Sequence, residues 1–298
     1  MKILVTGGNG LVGKHLQDIL PEATYISSKD YDLTESYNAH RLMYKERPDV
    51  VIHLAARVGG ILDNITNPVD YLEQNILINT NVLKHCHQFN VGKVISILST
   101  CIYPDVVDTY PMKEEVLFNG PPPPDNFAYA MSKRCMATQM DSYVKQHNKK
   151  WSYLIPCNLY GEHDKYEEHH SHFVSALIKK LHESKDSVEI WGTGKPLRQF
   201  MYAGDLARVI KYMIDNDVVD NFNVAPDYVH SIEEITKIGM ESCGKGDLNI
   251  VYDNTKPDGQ YRKDVDSSKL ISVMKDFKFT SLEEGIRRVY DNFSQRYN

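Results

Sequence analysis

Residues 2–13, Lys2-Ile3-Leu4-Val5-Thr6-Gly7-Gly8-Asn9-Gly10-Leu11-Val12-Gly13, decide the fold. A short β-branched, apolar run ends in glycines and passes at once into residues 11–20, whose apolar spacing predicts an amphipathic helix. The glycines satisfy G-x-G-x-x-G at 8, 10 and 13 and G-x-x-G-x-x-G at 7, 10 and 13. Residues without side chains let the turn tighten, and they let backbone N–H groups and the helix N-terminus approach a pyrophosphate. A glycine string alone is also an ordinary turn. At the first strand–helix junction of a repeating pattern it predicts dinucleotide binding. Gly7, Gly8, Asn9, Gly10, Leu11, Val12 and Gly13 are the candidate residues.

The same pattern repeats outward. Residues 50–54 (VVIHL) and 93–98 (KVISIL) are apolar on both faces, as buried parallel strands are. Residues 23–27 and 151–156 read as further strands, and 35–47 and 68–89 as the helices between them. Strands alternating with helices predict an α/β fold with a Rossmann-type, doubly wound parallel sheet. The second half is less regular, with helices expected over 172–183, 204–216, 231–243 and 281–291 and strands over 187–191 and 220–224. Residues 120–125 (GPPPPD) read as a rigid loop. The expected plan is a cofactor domain over 1–160 and a smaller α/β substrate domain over most of 161–298. Part of 200–226 is expected to return to the first domain.

Composition excludes several classes. Of 298 residues 42% are hydrophobic and 25% charged, which leaves ample material for a core and rules out disorder, collagen and coiled coil. A net charge of -6 argues against a nucleic-acid partner. Five cysteines (Cys86, Cys101, Cys135, Cys157 and Cys243) without a CxxC pair argue against a disulfide framework or zinc ribbon. No signal peptide precedes the first strand, and no apolar run reaches the roughly 18 residues of a membrane span. A cytoplasmic protein without a membrane partner is expected.

Three local features carry chemistry. The second predicted strand ends in Ser27-Ser28-Lys29, with Asp30 and Asp32 only afterwards. Hydroxyls and an ammonium accept a 2′-phosphate that a carboxylate would repel, so Ser28 and Lys29 predict NADP; a solvated loop charge is the alternative. Tyr129 and Lys133 share a helical face, where an ammonium lowers a phenol's pKa towards that of a working acid/base. Ser99 follows a predicted buried strand at the ligand-binding end of the sheet. Tyr-x-x-x-Lys alone is common on solvated helices, but the ordered trio is far more specific.

With these residues in hand, the chain resembles the extended short-chain dehydrogenase/reductase family over nearly its whole length. The likeness sharpens at Val58-Gly59-Gly60-Ile61, Ser99-Thr100-Cys101-Ile102-Tyr103-Pro104, Asn158-Leu159-Tyr160-Gly161, 191–200 (WGTGKPLRQF) and Lys256-Pro257-Asp258-Gly259. These strings resemble the family's bifunctional NADPH-dependent 3,5-epimerase/4-reductases, which convert GDP-4-keto-6-deoxy-D-mannose to GDP-L-fucose. The resemblance implies that Tyr129 protonates the C4 oxygen, that Lys133 binds the nicotinamide ribose and lowers Tyr129, and that Ser99 hydrogen-bonds that oxygen. It implies Cys101 as the base at C3 and C5 and His172 as the acid on the opposite face, with His170 the fallback. Cofactor contacts implied are Leu54, Ala55, Ala56, Lys133, Pro156, Asn158, Leu159 and His172. GDP-sugar contacts implied are Lys180, Trp191, Arg198, Asp258 and Lys263, with Arg198 and Lys263 offsetting the diphosphate. For Lys180 a solvated face is the competing reading.

The remaining cysteines read as packing residues, and the histidines at 163, 169, 170 and 172 do not share one helical face, so no metal is expected. A homodimer through the 68–89 and 129–147 helices is implied. Other readings are a nucleotide-sugar epimerase or dehydratase that recycles NAD, and a non-catalytic NADP-binding sensor, whose expected mark would be a broken Tyr/Lys pair.

Overall fold

Apolar side chains on both faces force Ile3–Thr6 into the middle of a sheet, and every residue of it is buried. The computed structural model describes residues 1–166, 171–256 and 258–297. Its elements in order begin β1 (Ile3–Thr6), α1 (Leu11–Ile19), β2 (Thr24–Ile26), α2 (Ser36–Glu46), β3 (Val50–His53), α3 (Ile61–Thr66), α4 (Pro68–Gln88), β4 (Lys93–Ile97), α5 (Phe127–His147) and β5 (Lys150–Pro156). They continue β6 (Asn158–Tyr160), α6 (Phe173–Glu183), β7 (Ser187–Trp191), β8 (Leu197–Arg198), β9 (Phe200–Tyr202), α7 (Ala203–Asp215) and β10 (Phe222–Val224). The chain ends β11 (His230–Ser231), α8 (Ile232–Ser242), β12 (Asn249–Asp253), β13 (Arg262–Lys263), α9 (Ser268–Val273) and α10 (Leu282–Tyr297).

Six strands form one sheet in the order β10-β5-β4-β3-β1-β2, with every neighbour parallel. The chain leaves β1 to one side for β2 and returns to the other for β3. The sheet therefore reverses direction between β1 and β3, and ligands bind at the carboxyl ends of strands flanking such a point. β10 carries the 220–224 segment back beside β5, and α7 packs on α1. One large core surrounds this sheet, from Leu4, Val51 and Ile95 to Met213 and Phe222. Two smaller clusters hold the second layer, around Tyr160, Ile178 and Ile286 and around Leu177 and Leu248.

The helix expected over 281–291 runs on to Tyr297. β12, which the sequence did not announce, pairs parallel with β7. No helix among the described residues is long and apolar enough to cross a membrane.

Candidate active site

The glycine loop closes at the reversal point. Gly7 has φ +72°, and a Cβ there would stand 2.8 Å from the Ala55 backbone nitrogen. A side chain at Gly13 would meet the Gly8 carbonyl oxygen at 2.5 Å, so the loop and α1 pack backbone to backbone. Gly10 caps α1 without a side-chain hydrogen bond, and no acid lies in the first turn. The first-turn amides of Leu11, Val12 and Gly13 thus face outward from an electropositive helix end, as a pyrophosphate requires. Leu54, Ala55 and Ala56 follow β3 beside this loop, Pro156 ends β5, and Asn158 and Leu159 begin β6. The Asn158 amide donates to the Gln199 carbonyl at 2.9 Å and ties β6 to β9.

At the tip of β2, Asp30 folds back and accepts both the Ser27 N–H and its hydroxyl at 2.8 Å. Ser28 and Lys29 remain exposed. Asp30 is therefore occupied with Ser27, which leaves the Ser28 hydroxyl and the Lys29 ammonium exposed at the strand tip. These residues and the loop fit a phosphorylated dinucleotide.

The reactive side chains come from β4, α5 and the second layer. Ser99 caps the 3₁₀ turn Thr100–Ile102, accepting the Cys101 N–H at 3.3 Å, which places Cys101 just past the carboxyl end of β4. Lys263, only 8% exposed, donates from Nζ to Cys101 Sγ at 2.9 Å. Burial alone would push this thiol up. The Lys263 ammonium by charge and hydrogen bond, then the Ser99 hydroxyl and the Arg198 charge, carry it below the ordinary cysteine value. Burial drives Cys86 and Cys157 the other way, and Cys243 up to about 12.

Lys133 is buried, and its Nζ donates to the Ile97 carbonyl at 2.8 Å while standing 5.9 Å from the Tyr129 ring centre. Burial brings Lys133 down to about 8. The expected lowering of Tyr129 is not what the structure shows. Burial, with Cys101 and Tyr71 nearby, raises the phenol, and the Lys133 ammonium is spent on the carbonyl.

His172 caps the start of α6, and its Nδ1 lies 3.2 Å from Asp164 Oδ2. Asp164 also accepts the Ser175 hydroxyl at 2.5 Å and the Lys165 N–H at 2.8 Å. The Asp164 hydrogen bond raises His172 above its usual value against the opposing pull of burial, and the Cys101 charge adds to the rise. Cys101 and His172 are thus close enough to feel each other's charge, and with Nδ1 held by Asp164 the Nε2 edge of His172 is left for chemistry. His170, the fallback, lies outside the described residues.

The residues assigned to the sugar nucleotide divide. Arg198 and Lys263 are register partners on β8 and β13, and both act on Cys101. Arg198 also donates to the Leu197 carbonyl at 2.9 Å. Trp191 ends β7 half-exposed, with the Lys256 ammonium 5.4 Å above its ring. Asp258 accepts the Thr193 N–H and hydroxyl at 2.7 and 2.8 Å, and so fixes the turn between the left-handed Gly192 and Gly194. Lys180 donates to the Glu189 carbonyl at 2.8 Å, turned towards β7.

A glycine cradle at the reversal point and a strand-end Ser with Tyr-x-x-x-Lys define a dinucleotide-dependent enzyme acting on a small carbonyl or alcohol. Residues 3–225 match the model of the NAD dependent epimerase/dehydratase family, and the chain belongs to it. It is 37% identical to the probable GDP-L-fucose synthase of Drosophila melanogaster, across 100% of this chain and 98% of that one. It is 36% identical to the GDP-L-colitose synthase of Yersinia pseudotuberculosis, across 100% and 99%. The crystal structure of a GDP-L-fucose synthetase from Naegleria fowleri bound to NADP has TM-score 0.90 at 32% identity, covering 99% of this chain and 93% of that one.

Sequence reading missed Asp164 and the contact between Lys263 and Cys101. A carboxylate eight positions before a histidine at a helix start is a faint signal for the first. Nothing local signals the second, which joins residues 162 positions apart.

Proposed function

We propose that this enzyme uses NADPH to convert GDP-4-keto-6-deoxy-D-mannose to GDP-L-fucose, inverting C3 and C5 and then reducing C4. The carrying observation is the Cys101 thiol held by Lys263, with the Asp164-oriented His172 within reach of its charge. Protons beside a ketone are acidic enough for a thiolate base, and inversion needs a second group that returns a proton to the other face. The Cys101 thiolate takes the proton from C3 and then from C5, the His172 imidazolium delivers its own proton to the opposite face each time, and both groups exchange protons with solvent between the two inversions. Ser99 and Tyr129 donate hydrogen bonds to the C4 oxygen as it becomes an enolate. A phenol raised by burial stays protonated at neutral pH, so Tyr129 serves as acid when C4 is reduced.

NADPH, when bound, supplies the hydride. The 7–13 loop holds its pyrophosphate, Ser28 and Lys29 its 2′-phosphate, and Leu54, Ala55, Ala56, Pro156, Asn158 and Leu159 line its path. Lys133 would bind the nicotinamide ribose. Arg198 faces the sugar diphosphate while Lys263 serves the thiol. Trp191 walls the nucleotide, and Lys180 and Asp258 shape that wall through Glu189 and Thr193. The five cysteines are free thiols, which suits the reducing cytoplasm. The outward faces of α4 and α5 carry exposed Val69, Leu77, Phe127 and Met131, and these support a homodimer.

The reaction is tested with GDP-4-keto-6-deoxy-D-mannose and NADPH in deuterated water, reading product by mass and NMR. GDP-L-fucose deuterated at C3 and C5, with equal NADPH consumed, is expected, and Cys101→Ser should lower deuterium incorporation by about 100- to 10,000-fold. Reduction without deuterium at those carbons would remove the roles of Cys101 and His172. Binding of NADPH without turnover would move the substrate to another sugar nucleotide.

A further inference from the structure

The cofactor helix carries a second cluster that the proposed chemistry does not use. His15 on α1 is only 7% exposed, yet its Nε2 has no hydrogen-bond partner among the described residues. Asp18 stands three positions on, on the same helical face. His163 arrives from the segment between β6 and α6, its ring centre 5.2 Å from that of His15. One ligand atom from each of the three lies within 4.8 Å of the others. Glu162 adds a carboxylate oxygen 3.4 Å from His15 Nε2, and both its oxygens accept from the Tyr202 hydroxyl.

We propose that His15, Asp18 and His163, with Glu162 beside them, form a binding site for a divalent transition cation of the zinc type. Two imidazoles and carboxylates are a zinc donor set, whereas calcium and magnesium take oxygen ligands. Two ligands about 2.1 Å from a tetrahedral zinc stand about 3.4 Å apart. That is the separation of His15 Nε2 and Glu162 Oε2. Asp18 is exposed and His163 half-exposed, so both side chains can close on an ion from ligand atoms that already lie within 4.8 Å of one another. An ion there also satisfies the orphaned imidazole nitrogen. The cation ties α1, whose first turn cradles the cofactor, to the segment in which Asp164 holds His172.

The test uses metal-stripped protein carrying Cys101→Ser, so that the reactive thiol does not compete. One equivalent of Co²⁺ should give the visible absorption of tetrahedral cobalt without thiolate charge-transfer bands, and Zn²⁺ should displace it one for one. Zn²⁺ should raise the melting temperature, and Asp18→Asn and His163→Asn should each weaken its affinity by about 100-fold or more. Asp18 is exposed, so its substitution leaves the fold intact and reports on ligation alone. Absence of stoichiometric binding, a thiolate spectrum, or unchanged affinity in both variants would overturn the site and leave His15 as an ion-pair partner of Glu162.

Discussion

At the scale of single residues, the site depends on ionisations that neighbours impose. Cys101 carries its lowered pKa because Lys263, helped by the Ser99 hydroxyl and then Arg198, outweighs burial. Lys263→Met therefore raises the thiol, and alkylation of Cys101 by iodoacetamide at pH 7 slows by about tenfold, one pKa unit's worth. Peptide mass spectrometry reads this directly, and an unchanged rate would show that the amine does not hold the thiolate. Asp164 acts on His172 in the same way. His172 is raised, so its cationic form persists to higher pH than that of a free histidine, and in the proposed mechanism its deprotonation would set the basic limb of epimerisation. Asp164→Asn moves that limb to lower pH while leaving reduction of a pre-epimerised 4-ketone in place. A shift in both half-reactions would make Asp164 merely structural.

At the scale of elements, β1, β3, β4 and β5 are legible because a strand covered on both sides must be apolar on both sides. The 7–13 loop, Ser99, Tyr129 and Lys133 are legible because their geometry is local. β8 and β13 are two residues each and exist only through pairing with distant segments, with each other across some sixty positions and, for β8, also with β11. No periodicity announces them, and nothing local in the sequence signals that Lys263 meets the Cys101 sulfur. The contacts of Asp258 with Thr193 and of Lys180 with Glu189 stay hidden for the same reason, since those partners lie on turns and strands that only folding assembles. Helices α4 and α5 lie side by side, and on α4 Val69 is 61% and Leu77 47% exposed. Such residues on adjoining helices leave an apolar strip that the second copy of the proposed homodimer would cover. Leu77→Arg should convert the dimer to a monomer in sedimentation equilibrium; a wild-type chain already monomeric at micromolar concentration would refute the pairing.

At the scale of the whole molecule, the sheet that builds the site also sets its response to acid. His53 at the end of β3 is fully enclosed, with Nδ1 2.8 Å from the Thr6 hydroxyl and Nε2 3.0 Å from the Asn79 amide oxygen. Nε2–H donates to Asn79 and Nδ1 accepts from Thr6, whose oxygen already takes the Ala55 N–H. A second ring proton, on Nδ1, would meet the proton that the Thr6 hydroxyl now donates there. Burial first, and then the Lys133 ammonium, push His53 from 6.5 down to about 4. The unfolded chain therefore binds this proton before the native one does. The stability tied to neutral His53 is complete above pH 6.5 and is lost as pH falls towards 4, amounting to about 3 kcal/mol. Lowered carboxylates such as Asp164 and Asp217 lose theirs only below the ordinary aspartate value of 3.8, a different window. The raised His172 has the opposite sign, contributing fully below 6.5 and losing its contribution as pH rises through its folded value. Urea unfolding should thus show a steep fall between pH 6.5 and 4 that His53→Gln flattens, at the cost of some stability at pH 7. Equal slopes in the two proteins would mean that the Thr6–His53–Asn79 chain beneath the cofactor site does not govern how the molecule meets acid.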